Sequence, residues 1–233
     1  MPGTPRERAR EQTLSDITRI GRRQLGEVGA AALSLRAVAR ELGVVSSAVY
    51  RYVANRDELL TLLVVDAYTE LGDEVDAAVE AAGSAAVDRF TALAGAVRHW
   101  AVREPSRYAL LYGSPVPGYA APAERTTSQG TRVVTLIAHI LDDAWRAGHL
   151  EGGHAGAPPE LAADFQAIRD ELALAAPDGL IAGTVQAWSA LFGAVSFEVF
   201  GQYGATTFAR PDVLFDYTVQ RLAGQLGLRP CAT

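Results

Sequence analysis

The chain has 233 residues and a mass of 24.7 kDa, enough for one or two domains with sizeable cores. Apolar residues make up 49% and charged residues 21%, a balance that excludes a disordered chain. The formal net charge is −6, a poor fit at first sight to a protein that grips phosphates, yet all 21 basic residues are Arg, the cation suited to bidentate phosphate contacts.

Ala, the best helix former, supplies 42 residues, and no run alternates as a half-buried strand does, so helices are expected throughout. Residues 4–28 read as a first helix with Leu14, Ile17, Ile20 and Leu25 on its apolar stripe. Ser34 is a good N-cap for a short second helix whose Leu35, Val38, Ala39 and Leu42 face inward, and Gly43 stops it. Ser46 and Ser47 open a third helix over 48–53, with Val45, Val49 and Val53 inward. Asn55 caps a long fourth helix to about residue 82, and Glu58 completes a capping box. Helices over 85–103, 105–112 and 124–146 follow, the last with Gly130 as a soft spot, and 148–159 is a loop. Three more helices cover 160–175, 177–202 and 211–226. The fold class is therefore all-α.

Charge divides this chain unevenly. Residues 1–58 carry ten Arg and seven acids, a net of +3, whereas residues 59–233 carry eleven Arg and twenty acids, a net of −9. That asymmetry suggests a basic contact module, residues 1–58, ahead of an acidic helical body, residues 59–233.

The strongest pattern is Ser34 to Val53. Two short helices joined by a tight glycine-containing turn make a helix-turn-helix unit. Val38, Ala39, Leu42, Val49 and Val53 lock the pair, and the small Ser46 and Ser47 let the backbone approach a major-groove floor. Tyr50, Arg51 and Tyr52 can reach phosphates or base edges, while Arg36 and Arg56 lie at helix N-termini, where phosphates dock. Double-stranded DNA is the expected partner, with Arg36, Arg51 and Arg56 as the main cations. Arg6, Arg8 and Arg10 form either a solvated tail or an arm for the phosphates or minor groove.

Ala39, Leu42-Gly43-Val44, Tyr50-Arg51-Tyr52 and Arg56-Asp57-Glu58-Leu59-Leu60 resemble the N-terminal domain of TetR-family transcriptional regulators, over about residues 10–70. Val45 stands where that pattern has a Ser or Thr cap, leaving the role to Ser46 or Ser47, and Val53 replaces a usual Phe. Arg107 to Tyr119, then Trp188 with Gly193, resemble the WHG-type C-terminal domain of that family, with Phe192 in place of a frequent His. The resemblance implies a homodimer on a roughly palindromic operator, its two recognition helices about 34–36 Å apart. It also implies that a small-molecule effector releases the DNA by moving the fourth helix, so that the chain acts as a repressor. Its dimer bundle would use the last two helices, with Ala182, Gly183, Ala190, Gly193 and Ala194 allowing close approach and Leu191, Val195 and Leu222 packing around them.

For an apolar or aromatic effector the candidate residues are Trp100, Tyr108, Tyr112, Trp145, Trp188 and Phe192, each of which could equally be core. His99, His139, His149 and His154 show no metal spacing, the lone Cys231 is remote, and no metal or other cofactor is expected. Asp142 and Asp143 read as a solvated face. A nucleophile elbow, a phosphate-cradling glycine loop and a zinc helix are all missing, so an enzyme is not expected. The uncharged stretch 179–197 is long enough for a membrane span, but Thr184, Gln186, Ser189 and Ser196 interrupt it and no positive cluster flanks it; no membrane is expected. One cysteine and a polar start point to a cytoplasmic protein. Two alternatives remain open: a DNA-binding factor without an effector, and a helical small-molecule binding protein.

Overall fold

Thr4 and Glu7 open the first helix reciprocally: the Glu7 N–H donates to the Thr4 hydroxyl, and the Thr4 N–H donates to the Glu7 carboxylate at 2.6 Å. From there the computed structural model, which describes residues 4–151 and 156–228, is built of helices, with no strand among those residues. In chain order they are α1 (Pro5–Val28), α2 (Leu35–Leu42), α3 (Ser46–Tyr50), α4 (Arg56–Ala81), α5 (Ala86–Arg103), α6 (Pro105–Tyr112), α7 (Ala123–Gly130), α8 (Arg132–Arg146), α9 (Ala162–Leu172), α10 (Asp178–Val199) and α11 (Pro211–Gln225). Cys231 and His154 lie outside the described residues.

Two of these depart from expectation. The helix expected over 124–146 is two, α7 and α8, broken after Gly130. A Cβ at Gly130 would stand 3.2 Å from the Tyr68 ring, so the glycine is there to admit that ring rather than merely to soften a helix. The third helix starts at Ser46, two residues early, with Val45 as a cap that makes no side-chain hydrogen bond. Gly43 takes the left-handed conformation (φ 71°), and the Val44 N–H returns to the Ala39 carbonyl. That closure sends Val45 outward, 71% exposed, correcting both its inward assignment and the capping role given to Ser46 and Ser47.

The chain packs as two compact units. One comprises the residues up to Glu70 with Glu104–Gly130, and the other Leu71–Arg103 with the residues from Thr131 on. The packing division thus falls about a dozen residues after the charge division at residue 59, because the first half of α4 is core to the first unit. There Leu59, Leu60 and Leu63 of α4 meet Ile17, Ile20 and Leu25 of α1, Leu35, Val38 and Ala39 of α2, and Val49 and Val53. Gly21 lets α1 pass close to α4, since a Cβ would lie 3.2 Å from Leu63 and 3.3 Å from Leu59.

Charge ties this unit as well as apolar packing. Arg107 of α6 is only 4% exposed; it donates to Glu70 Oε1 at 2.7 Å and Asp66 Oδ2 at 3.1 Å on α4. Arg22 of α1 meets the same two acids, donating to Asp66 Oδ2 at 2.6 Å and standing 3.1 Å from Glu70. The bonded Asp66 holds the Arg22 guanidinium above its usual pKa against the opposing effect of burial.

The second unit buries Phe90, Leu93, Val97 and Trp100 of α5 with Ile137, Ile140 and Leu141 of α8, Leu191 and Val195 of α10, and Phe215 and Val219 of α11. α10 packs against α5, α8 and α11; by length and composition alone it could cross a membrane. Arg98 clamps α10 through two bonds to Glu198, at 2.7 and 2.5 Å. Asp142 is 3% exposed, not a solvated face: its Oδ1 accepts the Ala175 and Ala176 N–H groups, both at 2.7 Å, and so fixes the approach to α10.

Arg107→Ala leaves Asp66 and Glu70 with Arg22 as their remaining cation, which is expected to cost about 3 kcal/mol, the lower end for a broken buried pair because the acids keep Arg22 and some water. A urea melt measures it. A midpoint within error of wild type would show that the cluster contributes little.

Candidate nucleic-acid interface

Helix α3 turns Val49 into the core at 1% exposure, and Val53 beyond its end is fully buried. The opposite side therefore faces solvent. Ser47 and Tyr50 are exposed, Tyr50 at 45%, and Ser46 is half-buried at the first turn. Arg51 is exposed where the helix ends. Tyr52 is half-buried against the core and carries Arg10 over its ring, 5.4 Å from the centroid, so it is a platform as much as a contact. Arg36 is exposed in the first turn of α2, behind the Ser34 cap.

Arg56 behaves otherwise. Its Nη2 donates to the carbonyls of Ala30 at 2.9 Å and Ala31 at 3.2 Å, and Asp57 lies 3.8 Å from Nη1. The sequence reading made it a main cation for phosphate; the structure commits its Nη2 to the turn between α1 and α2.

Pairing sorts the arginines. Among the described residues, those with no carboxylate within 4 Å are Arg6, Arg8, Arg10, Arg36, Arg40, Arg51 and Arg221. All but Arg221 precede Tyr52. Arg40, which sequence reasoning passed over, is exposed one turn after Arg36 on α2; its i, i+4 spacing is the signal that could have found it. An unpaired exposed guanidinium loses little in water and keeps its whole field for a polyanion.

The six aromatic candidates for effector contact do not converge. Trp100 is fully buried in the α5 core, and Trp145 is 40% exposed. Tyr108 and Tyr112 stack at 5.0 Å, with Tyr68 edge-on to Tyr112 at 6.1 Å; burial drives the Tyr112 hydroxyl far above its ordinary pKa. Trp188 and Phe192 pair at 6.2 Å within α10. A half-open cavity of about 190 Å³ lies elsewhere, between α8, α9 and α10. Its walls are mostly aliphatic, chiefly Val134, Ala138, Leu172 and Ile181, with Thr131, Thr135, Thr184 and the acidic Glu171 among them, and none of the six aromatics lines it.

The residues expected at a dimer interface also separate. Leu191, Val195 and Leu222 are buried inside their own chain, and a Cβ at Gly183 would touch Leu226 at 3.3 Å, so these four serve internal packing. Ala182, Ala190, Gly193 and Ala194 are half-buried, and at Gly193 a Cβ would meet open space. Sequence reasoning missed the large exposed apolar residues beside them: Phe197 at 52% and Phe200 at 39%, with Val213 at 51% and Tyr217 at 60% on α11.

A tight turn, an outward α3 and a rim of unpaired guanidiniums define a helix-turn-helix DNA-binding protein. Comparison with known proteins makes this specific. Residues 17–63 match the model for bacterial regulatory proteins of the tetR family, and residues 90–222 match that for the tetracyclin repressor-like C-terminal domain. The HTH-type transcriptional regulators Rv1816 of Mycobacterium tuberculosis and Mb1846 of Mycobacterium bovis are each 48% identical over 222 residues, spanning 95% of this chain and of each relative. A crystal structure described as that of a regulatory protein, SCO4313, superposes with a TM-score of 0.77 at 33% identity, over 95% of this chain and 100% of that one. The chain belongs to the tetR family and is a helix-turn-helix transcriptional regulator, not an enzyme.

Arg51→Ala and Arg36→Ala should each weaken DNA binding without shifting the melting temperature. Arg56→Ala should do the reverse first, lowering the melting temperature as the Ala30 and Ala31 carbonyls lose their donor, by about 1–3 kcal/mol of stability. Anisotropy with labelled duplex and a thermal melt on the same samples separate the two.

Proposed function

We propose that the chain is a cytoplasmic repressor that grips a roughly palindromic operator as a homodimer and lets go when a small apolar effector binds. The observation that carries the DNA half is that Arg36 and Arg40 on α2 and Arg51 at the end of α3 are exposed and have no carboxylate within 4 Å, while Ser47 and Tyr50 of α3 face solvent. α3 would enter the major groove while Arg36 and Arg40 of α2 hold phosphates beside it. The acidic remainder of the chain keeps non-specific attraction low and concentrates it at one end.

Exposed Phe197 one turn after the open Gly193 on α10, and exposed Val213 and Tyr217 on α11, support a two-fold interface through these two helices. The aliphatic cavity between α8, α9 and α10 supports the effector, and its lining favours a compact, mostly apolar molecule with one hydrogen-bonding group. The link to DNA would run through α4, one uninterrupted helix from Arg56 to Ala81 that enters both compact units.

Selection of bound duplex from a random pool tests this reading. The expected product is an inverted repeat with half-sites about one helical turn apart, or a multiple of it. Tyr217→Asp should give a monomer in sedimentation and lose the paired half-sites. A pool with no enriched sequence, or a dimer unmoved by Tyr217→Asp, overturns the respective part.

A further inference from the structure

Sequence left two fates for the N-terminal arginines, a solvated tail or an arm for the phosphates or minor groove. The structure carries their side chains on a helix. Pro5 and the Thr4 cap start α1 at the fifth residue, so Arg6 and Arg10 lie one turn apart on a helix, i and i+4, and present their side chains together. Across from them stand Arg51 and Tyr52, the two residues that leave α3. The four side chains, with Thr4, Glu7 and Ala9, line a groove of about 440 Å³.

Its electrostatics are one-sided. Arg6, Arg10 and Arg51 have no carboxylate within 4 Å. The one acid in the lining, Glu7, is turned back on the helix start, where its carboxylate accepts the Thr4 N–H at 2.6 Å; that bond holds its pKa below the ordinary value. Arg10 is steadied over the Tyr52 ring at 5.4 Å, so one of the three guanidiniums already has a fixed plane. Three guanidiniums against one carboxylate leave the concave wall net positive, a seat for a phosphodiester.

We infer that this groove binds the DNA backbone flanking the site read by α3, so that each protomer holds the operator at α3 and again at α1. The inference rests on the DNA-binding reading above. Operator DNA is the source favoured over a free anion because Arg51 belongs both to the groove and to the exit of α3, which makes the two surfaces continuous. A helical Arg6 and Arg10 cannot thread a minor groove as an extended arm does, so the contact is to phosphate and independent of base sequence.

The test is the salt dependence of operator binding, measured by anisotropy over a range of KCl concentrations. Removal of one phosphate contact should flatten the plot of log K against log salt by about 0.9. Arg6→Ala with Arg10→Ala is expected to reduce the slope by about 1–2 for each protomer bound, with base preference unchanged. Arg8→Ala is the internal control: Arg8 is also exposed and unpaired but lies outside the groove, and its slope should match wild type. Trimming the duplex flanks by a few base pairs should weaken wild type and leave the double variant unaffected. An unchanged slope in the double variant, with wild-type operator binding intact, overturns the inference while sparing the DNA-binding reading; a wild-type protein that selects no DNA overturns both. Thermal stabilisation by inorganic phosphate that needs Arg6 and Arg10, with the slope unchanged, would assign the groove to a free anion instead.

Discussion

The first compact unit depends on a shared charge problem. Arg107 is buried, and a buried guanidinium is tolerated only where acids meet it with good geometry. Asp66 and Glu70 do so from α4, and the same two acids also take Arg22 of α1. Three helices are thereby held in one register. Apolar packing tolerates a small slide of one helix on another, but a carboxylate bonded by two arginines does not. Since α1 also supplies Ile17, Ile20 and Leu25 to the core of the DNA-binding helices, the cluster fixes where α3 is presented. Gln24 extends the constraint, its side-chain oxygen accepting the Ser34 N–H at the start of α2.

Pairing gives the net charge its meaning. A formal −6 describes no part of this molecule, because most of the described arginines lie within 4 Å of an acid, many of them on another helix. What remains among the described residues is a small set of cations, nearly all ahead of Tyr52. Surface cations of this kind contribute little to stability. Their value is toward a dense line of phosphates, where counterion release makes each one count. Arginine suits both duties: its planar fork satisfies two carboxylates inside the fold and meets phosphates outside it.

Local pattern made some of this legible and left the rest hidden. The glycine turn, the apolar spacing in α2 and the capping of α1 and α4 are encoded within a few residues, and they placed the helix-turn-helix correctly. The start of α3 was less readable because Val45, a residue with no capping side chain, sits at its N-cap. The turn contact of Arg56 and the burial of Asp142 were missed for another reason. Their partners lie 26 and 34 residues away, and nothing nearby announces that a charge will be used inside. On α10, apolar on nearly every side, periodicity could not tell Leu191 and Val195, which face the core, from Phe197, which faces water. The aromatic residues posed the same difficulty, since an aromatic ring fills a core as readily as it greets a ligand.

α4 brings these threads together. It is 26 residues long, about 39 Å at helical rise, and it carries the DNA-binding core at one end and enters the second unit at the other. In the proposed mechanism an effector must do work on that helix, and a ligand shifts such an equilibrium only by its differential affinity for the two states. The cluster at Asp66 and Glu70 sets the resistance. Arg22 and Arg107 hold α4 from two sides just before it leaves the first unit, so a displacement at its C-terminal half can tilt α1 and α3 with it or can break those bonds. Breaking them strands buried charge, whereas carrying α1 and α6 along preserves these pairs. In that mechanism the cheaper path would move the DNA-binding helices as one block, and such a block could change the spacing between the recognition helices of the proposed dimer without unfolding either.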